Sequence, residues 1–335
     1  MIEEEVNDMS NVSNEDSEEF KEKCIEELKK IKGVGQSVAE KIFDAQLYTL
    51  VDVAACPVGE FMERTQISKA SAEKIVSGAR AVCDLGKAQL ASDMFENEDP
   101  VRLTSGCKEL DALIGGGFPL KLITEVYGEN GTGKSQSCFT AAVMATRPIE
   151  DGGLDSCVVY IDTEGTFRAH RIAQIAEARG FDPQEVLSRI YVIRANTSSH
   201  QVVLMDEVKK IASQNKVRLL IVDSIINHFR AEYTGRGVLA ERQQIIAKYM
   251  SELKAFAVSN DACVLVSNQV AARPDAFFGD PNNVVGGNVV GHASAYILKV
   301  RKGKAGKRIF RLDKSPDLPN GECVAVVDER GVADA

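Results

Sequence analysis

The 335-residue chain has eight cysteines (Cys24, Cys56, Cys83, Cys107, Cys138, Cys157, Cys263 and Cys323) but no C-x-x-C pair. Zinc ribbons and dithiol redox motifs need such pairs, so their absence argues against both. Several cysteines stand inside apolar runs, such as Cys157-Val158-Val159 and Cys263-Val264-Leu265. They read as small buried hydrophobes of a reducing compartment. No apolar run approaches the ~20 residues of a membrane-spanning helix, which excludes an integral helical membrane protein. Met1-Ile2-Glu3-Glu4-Glu5 shows neither the basic start nor the apolar stretch of a secretion signal, so a cytoplasmic location is expected.

Lysine and arginine are missing from residues 1–20, which hold eight acids: Glu3, Glu4, Glu5, Asp8, Glu15, Asp16, Glu18 and Glu19. The formal net charge is -9; removing these -8 leaves the other 315 residues at -1. A net acidic chain at first argues against a nucleic-acid partner. With the charge confined to one end, that argument loses its force for the rest. Residues 1–20 read as a disordered acidic tail, either a solubilising leader or a competitor for basic patches elsewhere.

What is present divides into two textures. Residues 21–83 read as short helices: Ile25, Leu28 and Ile31 recur at helical spacing, Gly33-Val34-Gly35 interrupts, and a helix through Val38, Ile42 and Phe43 follows. Ile31 to Gly35 ahead of a helix is either a helix-hairpin-helix, with backbone amides able to approach a phosphate, or a plain packed corner. Residues 84–100 read as a linker. From Val101, apolar runs alternate with helical patterns: Leu122–Tyr127, Cys157–Asp162, Tyr191–Ile193, Leu219–Asp223 and Cys263–Ser267. Near-continuous apolar strands separated by helices predict an α/β domain, a mostly parallel sheet covered on both faces. Shorter alternating strands from Ser294 to Val327 predict an antiparallel extension.

Directly after the strand ending at Tyr127 comes a G-x-x-x-x-G-K-[ST] phosphate loop. Its residues Gly128, Glu129, Asn130, Gly131, Thr132, Gly133, Lys134 and Ser135, with Gln136 after them, are the candidate ATP contacts. The glycines permit a nest of amides facing phosphate oxygens. Lys134 is expected to reach the β and γ phosphates and Ser135 to ligate magnesium. The apolar run ending at Asp223 has the form that stands beside such a loop, with Asp223 holding magnesium through a water. Glu164, after the strand Val158–Asp162, is the candidate for orienting the attacking water.

Further stretches resemble the RecA-type recombinases, most closely the archaeal RadA proteins and their eukaryotic counterparts. They are Asp162-Thr163-Glu164-Gly165-Thr166-Phe167-Arg168, Tyr233-Thr234-Gly235-Arg236-Gly237, Asn268-Gln269-Val270, and Gly286-Gly287-Asn288-Val289-Val290-Gly291-His292-Ala293. The resemblance covers residues of about 25 to 330. It implies that Glu164 polarises the hydrolytic water, Arg171 stacks on adenine, Gln269 senses the γ-phosphate, and His292 lies near ATP shared between subunits. It also implies ATP and Mg2+ as cofactors, self-assembly as ring or filament, and a nucleoid location in a prokaryote.

Two stretches are candidates for single-stranded DNA. The first, residues 230–242, sets Arg230, Tyr233, Arg236 and Arg242 among glycines, cations and an aromatic suited to a phosphodiester strand. The second, residues 270–288, holds Arg273, Phe277, Phe278, Gly286, Gly287 and Asn288 and shows little regular pattern. Lys299, Arg301, Lys302, Lys304, Lys307 and Arg308 form a basic cluster that either meets duplex DNA or is a solvated hairpin.

Two positions depart from the family pattern. Members carry a phenylalanine after the N-terminal domain that plugs the next subunit. This chain has Lys87-Ala88-Gln89-Leu90 there, so either Leu90 or Met94-Phe95 substitutes, with Phe95 the leading candidate, or self-assembly is weaker and leans on ATP. In the segment that caps ATP, around Pro316, Lys314 stands where an acid commonly holds a monovalent cation. A lysine ammonium can occupy that place itself. The expected function is a DNA-dependent ATPase that assembles on single-stranded DNA and pairs it with duplex. The alternative is a non-filamenting paralogue that mediates recombination.

Overall fold

The computed structural model describes residues 18–83, 88, 90–96, 101–235, 237–272, 282–284 and 288–335; for 94–96, 271–272, 282–284 and 288 it describes backbone only. It divides into one unit built on the N-terminal helices through Asp99 and another built on Pro100–Val208 and Asn215–Ala335.

In the first unit, α1 (residues 18–28), α2 (Gln36–Asp44), α3 (Leu50–Ala55), α4 (Val58–Thr65) and α5 (Lys69–Val82) surround a core of Leu28, Ile31, Ile42, Val53, Phe61 and Val76. Thr49 and Asp52 close a reciprocal capping box at the start of α3, which satisfies donors that the helix leaves unpaired. Gly33 has φ +91°, the left-handed backbone that favours glycine, and it turns the chain between α1 and α2. The acidic tail is shorter than the sequence reading had it. Residues 18–20 already belong to α1, and the Phe20 ring packs 5.7 Å from Phe43 and 5.5 Å from Tyr48. Residues 1–17 lie outside the described residues. Residues 84–100 are not all linker either, because α6 (Ala91–Glu96) falls within them. Lys87 and the Met94 and Phe95 side chains are outside the description; Leu90 is 69% exposed.

The second unit starts with a small antiparallel pair, β1 (Arg102–Leu103) and β2 (Phe118–Pro119), around α7 (Lys108–Leu113). The order then runs β3 (Ile123–Gly128), α8 (Lys134–Ala145), β4 (Cys157–Asp162), α9 (Ala169–Ala178), α10 (Pro183–Ser188), β5 (Ile190–Arg194), α11 (Ser198–Gln214) and β6 (Val217–Asp223). It continues through α12 (Asn227–Glu232), α13 (Leu239–Ser259), β7 (Cys263–Ala272), β8 (Asn282–Val284), α14 (Asn288–Ala293), β9 (Tyr296–Lys302), β10 (Arg308–Lys314), β11 (Gly321–Asp328) and β12 (Gly331–Asp334). The large sheet has the order β12-β11-β10-β9-β3-β7-β6-β4-β5. β9, β3, β7, β6, β4 and β5 are mutually parallel, and β10, β11 and β12 add an antiparallel extension.

Alternation assigns the two faces of the sheet. Val126, Val158, Tyr160, Leu219, Ile221, Cys263 and Leu265 share a core with Cys138, Phe139 and Val143 of α8. By the same alternation Asp162, Asp223 and Ser267 belong to the α8 face, and Glu125 and Asn268 to the opposite one. Four of the apolar runs read from sequence are thus the middle strands β3, β4, β6 and β7, buried on both sides; the fifth, Tyr191–Ile193, forms the edge strand β5, where Val192 is exposed.

The two candidate DNA stretches are more regular than the sequence reading implied. Arg230 lies on α12 and Arg242 on α13, so the first connection is reduced to residues 233–238. In the second, β7 runs on to Ala272 and pairs with β8 in antiparallel register, Val270 opposite Val284.

Candidate active site

At the carboxyl end of β3 the chain turns through the phosphate loop into α8. Gly131 (φ +71°) and Gly133 (φ +113°) take left-handed conformations that aim successive amides into one concavity. Gly128 is needed for a different reason: a Cβ there would lie 2.2 Å from the Val300 carbonyl oxygen of β9. Thr132 Oγ1 donates to the Glu129 carbonyl at 2.9 Å and closes the loop on itself. Lys134 is buried, and its ammonium donates to the carbonyls of Gly128 at 3.0 Å and Glu129 at 2.9 Å. Burial pushes its pKa below the usual lysine value, and the carboxylates of Asp223 and Glu164 oppose that shift. Ser135 stands in the first turn of α8, half-buried at the mouth of the loop.

Asp223 ends β6, 2% exposed. The Tyr160 hydroxyl of β4 donates to its Oδ2 at 2.7 Å, and the Ser267 hydroxyl of β7 donates to its Oδ1. Three adjacent strands therefore fix this carboxylate. The beginning of the Glu164 loop is tied to the same place. Thr163 Oγ1 donates to the Ser224 carbonyl at 2.9 Å and accepts the Ser224 amide at 2.8 Å.

Glu164 itself is exposed, on a loop shaped by Asp162. The fully buried Asp162 carboxylate accepts the amides of Glu164 (3.2 Å), Thr166 (3.1 Å) and Phe167 (3.0 Å). The Gln269 side-chain amide donates to Glu164 Oε1 at 2.7 Å, so two candidates 105 residues apart meet. Behind Gln269, the Asn268 Oδ1 accepts the Gln269 amide at 2.8 Å, and the Asn268 Nδ2 donates to Glu125 Oε1 at 2.7 Å. Glu125 lies in the middle of β3, fully buried, and burial pushes its carboxyl up to about 7.

Arg171, in the first turn of α9, donates through Nε to Gln136 Oε1 at 2.9 Å and through Nη2 to the Asp328 carbonyl. Its planar group thereby spans α8, α9 and the β11–β12 turn beside the phosphate loop. Lys314, at the end of β10, donates to the carbonyls of Gly291 (2.8 Å), Ser294 (2.8 Å) and His292 (3.4 Å). The ammonium closes the C-terminal end of α14, where a cation offsets the unpaired carbonyls. His292 and Pro316 are exposed nearby.

Arg230 is exposed, Tyr233 is half-buried, and Arg242 Nη1 donates to the Tyr233 carbonyl at 3.4 Å. Arg236, Arg273, Phe277, Phe278, Gly286 and Gly287 lie outside the described residues, as does the Asn288 side chain. The basic cluster forms the β9–β10 hairpin, which lies against the phosphate loop: a Cβ on Gly131 would come 3.5 Å from the Lys302 ammonium.

The donor set fits a nucleoside triphosphate with a divalent cation: amides and an ammonium for phosphate oxygens, and a hydroxyl plus a fixed carboxylate for the ion. Tyr160, Ser267, Asp162 and Glu125 were not singled out from the sequence. Their signal was there, as polar groups at strand positions that are otherwise apolar.

A family model described as Rad51 matches residues 96–335. The chain belongs to that family, whose members are DNA-dependent ATPases of recombination. Among the described residues no helix is long and apolar enough to cross a membrane.

Proposed function

We propose that the protein is an ATP-dependent recombinase of the RadA type: it assembles as a filament on single-stranded DNA and pairs that strand with homologous duplex. The observation that carries this reading is the contact between Gln269 and Glu164. Gln269 stands on β7, and β7 leads directly into the β7–β8 hairpin that opens the second candidate DNA stretch. A group that senses nucleotide and a segment suited to DNA are thus parts of one strand.

The phosphate loop holds the triphosphate, with Lys134 exchanging its loop carbonyls for phosphate oxygens. Ser135, and Asp223 through a water, would hold magnesium, which when bound offsets the phosphate charge. Glu164 orients a water for attack, and the Gln269 amide fixes the Glu164 carboxylate in the required rotamer. Tyr160 and Ser267 keep Asp223 oriented. Arg171 supports the adenine from beside Gln136. His292, Lys314 and Pro316 lie on a surface suited to cap ATP held by a second copy. Arg230, Tyr233, Arg236 and Arg242, with Arg273, Phe277, Phe278 and the Gly286-Gly287-Asn288 segment, grip the strand by charge and stacking. The α1–α2 corner at Gly33 gives the helical unit a helix-hairpin-helix contact for phosphate.

Electron microscopy with ATP and single-stranded DNA tests the assembly. Helical filaments, and ATP hydrolysis that rises with DNA and is lost in Glu164→Gln, are the expected results. Small rings or monomers without DNA-stimulated hydrolysis would favour the mediator reading, to which Lys87 in place of the aromatic anchor points.

A further inference from the structure

Glu125 is given no role toward nucleotide, magnesium or water above, yet it is fully buried in the second unit. It occupies the middle of β3, on the face turned away from α8 and the phosphate loop. Oε1 accepts the Asn268 side-chain amide, while Oε2 is buried without a hydrogen-bond partner among the described residues. A buried carboxyl with one idle oxygen is costly in its charged form, which is why burial raises it to about 7. An acid kept at that cost inside a strand of Ile123, Val126 and Tyr127 calls for an explanation beyond packing.

Its surroundings supply one. The Asn268 amide is bound at both ends: Nδ2 donates to Glu125, and Oδ1 accepts the backbone amide of Gln269. If the amide turned over, a donor would face the Gln269 N–H and an acceptor would face the carboxylate. Glu125 therefore decides which way Asn268 points, and Asn268 holds the peptide from which the Gln269 side chain reaches Glu164. Charged groups on the neighbouring elements are few. β9 presents Lys299 towards the same face, beside Tyr127. β10 presents Asp313, held by the Tyr127 hydroxyl and Arg311, and then Lys314. α14 carries His292 in its last turn, and α13 contributes buried apolar residues such as Met250, Leu253 and Phe256. Of these charges, the one that acts on Glu125 is the Lys314 ammonium, which favours the ionised carboxylate.

We propose that Glu125 is a positioning residue for ATP hydrolysis, acting through Asn268 on Gln269 and Glu164, and that its charge links this relay to Lys314 on the far side of the sheet. The inference rests on Glu164 and Gln269 being the hydrolytic pair. Ionised Glu125 is the form that holds Asn268 best, so the relay tightens above neutrality and loosens as pH falls through about 7.

The test compares the wild-type protein with Glu125→Gln and Glu125→Leu. The Gln variant keeps an acceptor oxygen towards Asn268 but cannot titrate; the Leu variant removes the acceptor. In DNA-stimulated hydrolysis at pH 8, Glu125→Leu should lower kcat roughly 10–100-fold with the KM for ATP little changed, and Glu125→Gln, which like the protonated acid offers Asn268 only a neutral acceptor, should stand between Leu and wild type, about tenfold below the latter. The ratio of wild-type to Glu125→Gln kcat should change about tenfold between pH 6 and pH 8, following the ionised fraction. Independently of activity, the nucleotide-free protein should show an infrared carbonyl band of a protonated carboxyl that titrates near neutrality and is missing from Glu125→Gln. A pH profile shared by wild type and Glu125→Gln, or an infrared difference without that band, would overturn the role of Glu125. Absence of hydrolysis by the wild-type protein would instead overturn the reading of the site. Should Glu125→Leu not fold, the Gln profile and the infrared band still decide.

Discussion

Replacing Asp162 tests how the Glu164 loop is built. The Asp162 carboxylate is fully buried and accepts three backbone amides, from Glu164, Thr166 and Phe167, at 3.0–3.2 Å. A hydrogen bond to a charged group contributes about 1.5–3 kcal/mol net, so three of them represent roughly 4.5–9 kcal/mol. Removing the carboxylate also removes the several kcal/mol that its own burial costs. Asp162→Ala should therefore destabilise the second unit by roughly 2–4 kcal/mol, which for a domain of this size lowers the melting midpoint by roughly 5–15 °C. Asp162→Asn keeps one acceptor oxygen but turns an NH2 group towards a backbone N–H, and it should fall between wild type and Ala. The effect on hydrolysis should exceed the effect on folding. Three released amides let the loop move, and a displacement of about 1 Å at a group that orients water costs on the order of 100-fold in rate. The assay is a thermal melt followed by circular dichroism, with kcat for ATP measured well below the lowered midpoint. An Asp162→Ala protein that melts within 2 °C of wild type and keeps wild-type kcat would refute the reasoning, because the three bonds would then contribute neither stability nor position.

Two glycines of the phosphate loop should respond differently. Gly128→Ala drives a Cβ to 2.2 Å from the Val300 carbonyl oxygen, a backbone atom, and should cost about 3 kcal/mol or more of stability, whereas Gly131→Ala meets the flexible end of Lys302 and should cost about 1–2 kcal/mol for its left-handed backbone. Equal melting midpoints for the two variants would contradict this. Because the Lys314 ammonium already fills the carbonyl cluster at the end of α14, hydrolysis should rise little when sodium is exchanged for potassium; Lys314→Asp should introduce a potassium requirement. A strong potassium effect on the wild-type rate would defeat that assignment. Burial pushes the Cys107 and Cys263 thiols up to about 12 and the Cys138 thiol well above its usual value, so their thiolate fraction is small at pH 8. Mass spectrometry after iodoacetamide treatment at pH 8 should find Cys83 and Cys157, both half-buried, modified first, and those three only on unfolding. Deleting residues 1–17, which leaves Phe20 in its aromatic contacts, should tighten DNA binding at low salt, where screening is weakest. Unchanged affinity in a filter-binding titration would make the tail a solubilising leader only.

The sequence was most legible where one physical rule dominates. Four of the five apolar runs became the central strands because a strand buried on both faces has no polar side to show, and the glycine spacing of the phosphate loop admits few other readings. It was least legible where a side chain's partner depends on strand order. Tyr160, Asp223 and Ser267 are brought together because β4, β6 and β7 are neighbours, and nothing in the spacing of residues 160, 223 and 267 states that adjacency. Glu125 carried a visible signal, an acid within an apolar strand, but its partner Asn268 lies 143 residues away. Local boundaries failed for a different reason. Residues 230–242 are rich in turn formers, yet Arg230 and Arg242 are held on α12 and α13, where packing of Phe229 and Ile246 outweighs the loop-like composition. β8 forms by pairing with an extended β7, a tertiary event that residues 270–288 do not announce.

The register of β7 has a thermodynamic consequence. Ser267, Asn268 and Gln269 are consecutive, and in turn they bind the Asp223 carboxylate, the Glu125 carboxylate and the Glu164 carboxylate. From the very next residue, Val270, the same strand pairs with β8. Any ligand that favours one setting of this strand works against the same restoring forces, whichever end it touches. If, as proposed, nucleotide is sensed at Gln269 and DNA is met beyond Ala272, linkage then requires symmetry: the factor by which ATP strengthens DNA binding equals the factor by which DNA strengthens ATP binding. The strand has one free energy of displacement, and both ligands draw on it.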